Sequence, residues 1–276
     1  MDRVLGIVRS RESVKTNRAN QGHAEQTAGG FTVLSFNVGN GLADPDRLVE
    51  YLGDEQADVV GIQELSLPQA EAIERRLMEV YPYRLLVPTG FSGKGLISKL
   101  PIRSSASVAF APDRPDLNAA VEVLDQVVQV IVAHPKPPRV GLSGVVFDPV
   151  TDSQIMKVAE MAISESPSVI LGDFNMTQRQ AHHGHMTSTG LIDAFQETGS
   201  RGASFPRRLG HTHRVGSRVD KMPLKPVIRI DYVWYTAELV ASRVWVGDDA
   251  GSDHLPVHAR LEWRNERRQD GEAVRR

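Results

Sequence analysis

The chain has 276 residues and a formal net charge of -2, from 32 lysines and arginines against 34 aspartates and glutamates. So even a balance excludes a general electrostatic pull toward nucleic acid or anionic membrane, and any affinity for phosphate must be local. There are no cysteines, which excludes disulfides, thiolate zinc sites and cysteine nucleophiles together. A hydrophobic fraction of 41% is ordinary for a globular protein with a sizeable core.

Residues 1–30 are polar, contain glycine and lack periodicity, and read as an arm outside the fold. Their apolar run, Val4 to Val8, is too short for a signal peptide core of about 7–15 residues or a membrane helix of about 20. The chain is therefore expected to be cytoplasmic, without an integral membrane segment, and a monomer. Residues 31–264 show no linker and no repeat and read as one domain, followed by a charged tail at 265–276.

Within that domain, FTVLSFN (31–37), DVVGIQE (58–64), NAAVEVL (118–124), VVQVIVAH (127–134), SVILGD (168–173), IDYVWYT (230–236) and PVHARLEW (256–263) are strand-like, rich in β-branched and aromatic residues. Several are apolar on both faces, as in a sheet covered on both sides. A first helix starts with Asp44 as N-cap and Pro45 at its first position, and ends at Gly53. A second places Ala70, Ile73, Leu77 and Val80 at helical spacing after Pro68. A third runs over about 152–165 and buries Ile155, Val158, Ala159 and Ala162. Leu124 to Val127, with Asp-Gln between, reads as a hairpin. Mixed hairpins and strand–helix units predict an α/β chain of two packed sheets with helices outside.

Polar residues end or interrupt these strands: Asn37, Glu64, His134, Asp173 with Asn175, Asp231, and the pair Asp253–His254. Each alone has an ordinary use as turn former, cap or satisfied structural group. Six strands carrying such groups at or beside their termini, in one chain, point to a rim where a rigid sheet frame holds catalytic side chains.

In order, LSFNVGNG, VVGIQEL, GLISKLPI, VIVAHPKPP, VILGDFNMT, RIDYVWY and GSDHLPV resemble the segments of the DNase I-like endonuclease/exonuclease/phosphatase superfamily, in a bacterial branch. The resemblance spans about 31–263. It implies a four-layer α/β/β/α sandwich of two mixed sheets flanked by helices, with GLISKLPI as a structural hairpin. It also implies a divalent-metal-dependent phosphoesterase in which water attacks a phosphodiester or phosphomonoester in line. Glu64 is then the primary metal ligand, with Asn37 beside it and Asp253 as a second or water-mediated ligand, for Mg2+ or Mn2+. Asp173 orients and deprotonates the water, and Asn175 bonds it or a phosphoryl oxygen. His254 donates to the phosphate while Asp231 fixes its ring, and His134 is the second histidine at the scissile phosphate. Asn37, Asn175 and Arg229 are the expected substrate-binding residues.

Other motifs carry less. GFSGKG (90–95) lacks the P-loop spacing and reads as a hairpin turn; His182, His183 and His185 read as solvated histidines of a loop. Segment 201–229 holds Arg201, Arg207, Arg208, Arg214, Arg218, Lys221, Lys225 and Arg229 against Asp220 alone. It is expected to loop over the rim and meet a phosphate-ester substrate, either nucleic acid or a phosphorylated small molecule or lipid head group. A nuclease is one reading, a phosphatase or head-group phosphodiesterase the alternative, and a catalytically silent binding module the third.

Overall fold

The computed structural model describes residues 29–141, 144–208 and 223–264. Two six-stranded sheets face each other. The first holds, in spatial order, β13 (Leu239–Val246), β14 (Val257–Trp263), β1 (Gly30–Asn37), β2 (Val59–Gln63), β4 (Lys94–Ser98) and β3 (Tyr83–Val87). The second holds β11 (Ile192–Asp193), β12 (Asp231–Tyr235), β10 (Ser168–Asp173), β7 (Gln126–Ala133), β6 (Asp116–Val123) and β5 (Ile102–Val108). A small separate hairpin joins β8 (Arg139–Gly141) to β9 (Gly144–Val146). Helices α1 (Pro45–Glu55) and α2 (Leu67–Arg76) cover the first sheet, and α3 (Pro149–Ser164) and α4 (Ala181–Ser188) the second, with α5 (Ala194–Glu197) beside them. The architecture is the α/β/β/α sandwich.

Strand alternation explains the layering. In β1, Val33 enters the core between the sheets while Leu34 and Phe36 pack under α1 and α2; in β10, Val169 and Leu171 point inward and Ile170 toward α3. Burying one such side chain stabilises by roughly 1.5–3 kcal/mol, and a one-residue slip of register would exchange the two faces of a strand. Gly61 sets how closely the sheets approach: a Cβ there would lie 2.7 Å from the Leu171 side chain.

Local signals place the helices, with corrections. Asp44 caps α1, accepting from Asp46 N at 3.0 Å, but the helix runs through Gly53 and ends where Gln56 turns left-handed at φ 50°. A capping box between Ser66 and Gln69 starts α2, which ends near Arg76, so Val80 lies beyond it. Asp148 caps α3 three residues earlier than the spacing indicated, at Pro149. The β6–β7 turn falls on Leu124–Asp125, both at positive φ, one residue before the expected pair. GLISKLPI is not a hairpin. Its first half is β4, paired with β2 and β3, and its second half enters β5 in the opposite sheet. The hairpin is β3–β4, and GFSGKG is its turn.

Strand direction builds the rim. β1 and β2 are parallel with Asn37 opposite Gln63, and β7 and β10 are parallel with Ala133 opposite Gly172. Their C-terminal ends therefore deliver Asn37, Glu64, His134 and Asp173 side by side. β14 and β12 run antiparallel to these neighbours, so their N-terminal ends arrive at the same edge with Asp253–His254 and Asp231.

Candidate active site

Asn37 is fully buried and links three parts of the rim. Its amide nitrogen donates to Glu64 Oε1 at 3.3 Å and Asp173 Oδ2 at 3.0 Å, while its oxygen accepts from Gly39 N at 3.0 Å. With its nitrogen facing both carboxylates, Asn37 orients Glu64 and Asp173.

Glu64 leaves β2 at φ 55°, a left-handed conformation that costs a residue with a Cβ about 1–2 kcal/mol. Such strain collects at functional positions, and here it turns the side chain into the cleft. Burial, with Asp173 and Asp253 close by, lifts the Glu64 carboxyl to about 7 despite the charge of His254. A buried oxygen-only group raised by neighbouring carboxylates is a donor set that a hard divalent cation fits. Glu64 is the residue able to hold one, with Asp253 beside it. Asp173, Asp231 and His254 also come within 4.8 Å of one another, a grouping whose oxygens and ring nitrogen could offer ligand atoms to a cation, with Asp231 bonded to the His254 ring.

Asp173 ends β10. The glycine before it is required, because a Cβ at Gly172 would lie 2.4 Å from the Ala133 carbonyl. The Asp173 carboxylate accepts from Asn175 N at 2.8 Å, lies 3.5 Å from His134 Nε2 and 3.7 Å from His254 Nε2. Burial would raise its pKa, yet the charge of His254 and the bond from His134 outweigh it and hold Asp173 at about 2. Asn175 sits at φ 52°, donates to Pro135 O at 3.1 Å and stays half-buried at the cleft.

The two histidines differ. His254 Nδ1 meets Asp231 Oδ2 at 2.9 Å, and its backbone N–H bonds the Ser252 hydroxyl, which itself donates to Asn37 O at 2.6 Å. Burial opposes a charged ring, but Asp231 and Asp173 push the His254 pKa up to about 10. His134 lies under Arg114, whose Nη1 is 3.3 Å from both the ring Nδ1 and the backbone carbonyl. Burial lowers His134 to about 4 despite Asp173 beside it. Because Arg114 can only donate, His134 Nδ1 is the acceptor and Nε2 carries the hydrogen, aimed at Asp173 and Glu64.

Arg114 itself escaped the sequence reading, as did its support. The Asp116 carboxylate accepts from His134 N at 3.3 Å and Gln154 Nε2 at 2.8 Å and pairs with Lys94 Nζ at 3.5 Å, a lysine with no exposed surface whose pKa burial brings to about 8. Only the lysine of the turn GFSGKG gave a hint, since a charged residue beginning a buried strand needs a partner.

Arg229 is elsewhere. Its guanidinium pairs with Asp193 at 2.6 Å and lies 4.6 Å and 4.2 Å from the ring centres of Phe195 and Tyr232, so it is committed to a buried structural pair rather than to the catalytic cleft. The histidine cluster is likewise structural. It forms α4, with His183 buried against Asp193 at 3.0 Å and His182 bonded to Asp152 at 2.7 Å. In the basic segment, Arg207 and Arg208 pair with Asp249 and bond the backbone at Asp253 and Ser252. Arg214, Arg218 and Lys221 lie outside the described residues.

The profile of the Endonuclease/Exonuclease/phosphatase family matches residues 34–254. No curated protein matches the chain. Among solved structures, an endonuclease/exonuclease/phosphatase from Beutenbergia cavernae is similar at 18% identity and TM-score 0.65, over 85% of this chain and 72% of that one. Danio rerio TDP2 complexed with single-strand DNA product is similar at 18% identity and TM-score 0.62, over 84% and 99%. Bacteroides thetaiotaomicron mannosyl-6-phosphatase is similar at 16% identity and TM-score 0.62, over 84% and 100%. From Leu34 to His254 the match takes in every rim residue, and the chain belongs to the endonuclease/exonuclease/phosphatase family of phosphoric ester hydrolases.

Proposed function

We propose that this protein is a divalent-metal-dependent phosphoesterase that opens a phosphodiester or phosphomonoester by in-line attack of water, with Mg2+ or Mn2+ as the cation. One observation carries the reading: Asp173, held ionised, stands between a charged His254 and a neutral His134 at 3.7 and 3.5 Å, opposite Glu64. A divalent cation held by Glu64 with Asp253 would neutralise phosphoryl charge and stabilise the leaving oxygen.

The protein's own groups divide the remaining work. Asp173 accepts a hydrogen bond from the attacking water, aligns it and takes its proton as the new P–O bond forms. With a pKa of about 2 it is a weak base, so alignment is its larger contribution. His254 Nε2–H donates to a phosphoryl oxygen as a cation, and Asp231 keeps the ring in one orientation. His134 Nε2–H donates to the same group as a neutral ring. Arg114, whose guanidinium feels the charge of both Glu64 and Asp173, adds positive charge at that edge. Asn175, beside Asp173, supports the water or a phosphoryl oxygen.

The test is hydrolysis of bis-p-nitrophenyl phosphate, p-nitrophenyl phosphate and plasmid DNA, each with magnesium, manganese or EDTA. Metal-dependent nicking of DNA supports a nuclease, and turnover of small esters alone supports a phosphatase or head-group phosphodiesterase. Silence on all three with every metal refutes the enzyme reading. Glu64→Gln is expected to shift the magnesium titration to higher concentration, and an unchanged titration removes Glu64 as a ligand.

A further inference from the structure

Beside the catalytic rim lies a second cleft of about 440 Å3. Its two walls continue the strands that carry the catalytic carboxylates. Thr177 to Arg179 follow Asp173 out of β10, and Val227 to Arg229 lead into Asp231 of β12. Phe174 N donates to Ile230 O at 2.9 Å and ties the walls together. Thr177 is four positions after Asp173, so the two Cα atoms lie within about 14 Å of each other. Its third wall is Ser200 to Gly202, over the buried Phe195.

The charge of this cleft is one-sided. Arg179, Arg201 and Arg229 line it, and among the described residues no acidic side chain does. Arg229 is neutralised by Asp193 and fixes the floor. Arg179 and Arg201 are exposed, and among the described residues neither guanidinium has a carboxylate partner or a hydrogen bond. Elsewhere on this rim arginines are paired, as Arg207 and Arg208 are with Asp249. Two guanidinium groups without a carboxylate partner among the described residues, on one concave surface, are suited to bidentate recognition of phosphate.

We infer that this cleft is a second phosphate subsite: it takes a phosphate of the substrate other than the scissile one. The preferred substrate then carries two or more phosphates, as a nucleic acid strand or a small bisphosphate does. The inference rests on the phosphoesterase reading and adds the substrate class to it.

The test compares wild type with the double variant Arg179→Ala/Arg201→Ala on tetrathymidylate, thymidine 3′,5′-bisphosphate and bis-p-nitrophenyl phosphate. Both arginines are exposed and have no carboxylate partner among the described residues, so the melting temperature should not change. Losing charge-assisted bonds to one phosphate is expected to raise KM by about tenfold or more on one or both multiply phosphorylated probes. Kinetics on bis-p-nitrophenyl phosphate should stay unchanged. A rise on tetrathymidylate alone identifies a strand, and a rise on the bisphosphate identifies a small ligand. Unchanged KM on both, or an equal rise on bis-p-nitrophenyl phosphate, overturns the subsite. Where a probe is not turned over by wild type, calorimetric binding of inorganic pyrophosphate in EDTA decides. Weaker binding by the double variant supports the subsite, and equal or absent binding overturns it even if the hydrolase reading has failed separately.

Discussion

Two corners of one cleft hold a buried histidine each, and they treat it oppositely. At the His254 corner the neighbours are Asp231, Asp173 and Asp253, and the ring stays charged to a pKa of about 10. At the His134 corner burial is joined by Arg114 and Lys94, and the ring stays neutral down to about 4. Burial is nearly equal in the two places; at His254 several carboxylates outweigh it, whereas at His134 the pull of Asp173 is countered by Arg114 and Lys94 and burial prevails. Environments that push two like groups apart assign them distinct roles: one imidazolium to neutralise phosphate, one neutral N–H to orient it.

The largest effect should come from removing the group that lies between the corners. Asp173→Asn is expected to lower kcat by about 10³-fold or more while the protein folds normally; a rate within tenfold of wild type would remove Asp173 from the chemistry. Asp231→Asn should make the His254 corner resemble the other. The ring loses its nearest anion, kcat falls by about 10²-fold, and the alkaline limb of the pH profile moves to lower pH. A fall in rate with an unmoved limb would make Asp231 a purely structural residue. Arg114→Gln addresses the opposite corner. We expect an increase of about tenfold in KM and a higher His134 pKa, read by NMR titration of the ring; an unmoved His134 resonance would detach Arg114 from it.

The smallest effect is on stability, and its two signs oppose. His254 has a folded pKa raised above its ordinary 6.5. Its contribution is full below pH 6.5 and is lost as pH rises toward 10. His134 and His258, both lowered to about 4, favour the neutral ring, so their contribution is lost as pH falls from 6.5 toward 4. Melting temperature in EDTA should decline at both ends, and His254→Gln should flatten the alkaline decline alone. A variant that flattens the acid side instead would contradict the charge assignment.

Much of this was legible in the sequence, for a physical reason. Asn37, Glu64, His134, Asp173, Asp231 and His254 each break an apolar strand run, and a polar residue at such a place is visible without knowing the fold. Arg114 was not visible because it sits in the irregular stretch Asp113–Pro115 before β6, with no pattern to interrupt. The ion pair of Arg229 was hidden for a related reason: counting cations over a segment says nothing of a partner, and Asp193 lies thirty-six residues away in the chain. Strand β5, IRSSASV at a sheet edge with mostly exposed serines, carries too little apolar signal to announce itself. The resemblance implied a hairpin at GLISKLPI, but the segment crosses between the sheets, and two short runs that meet look alike in either case.

The bond between His254 and Asp231 joins the two sheets, since one residue precedes β14 and the other begins β12. Neither sheet formed alone holds a charged imidazole or a complete set of donors. A partly folded chain with both sheets built but not docked is therefore chemically inert. The onset of phosphoesterase turnover during refolding would mark the moment at which the two halves close on each other, later than any spectroscopic sign of strand formation.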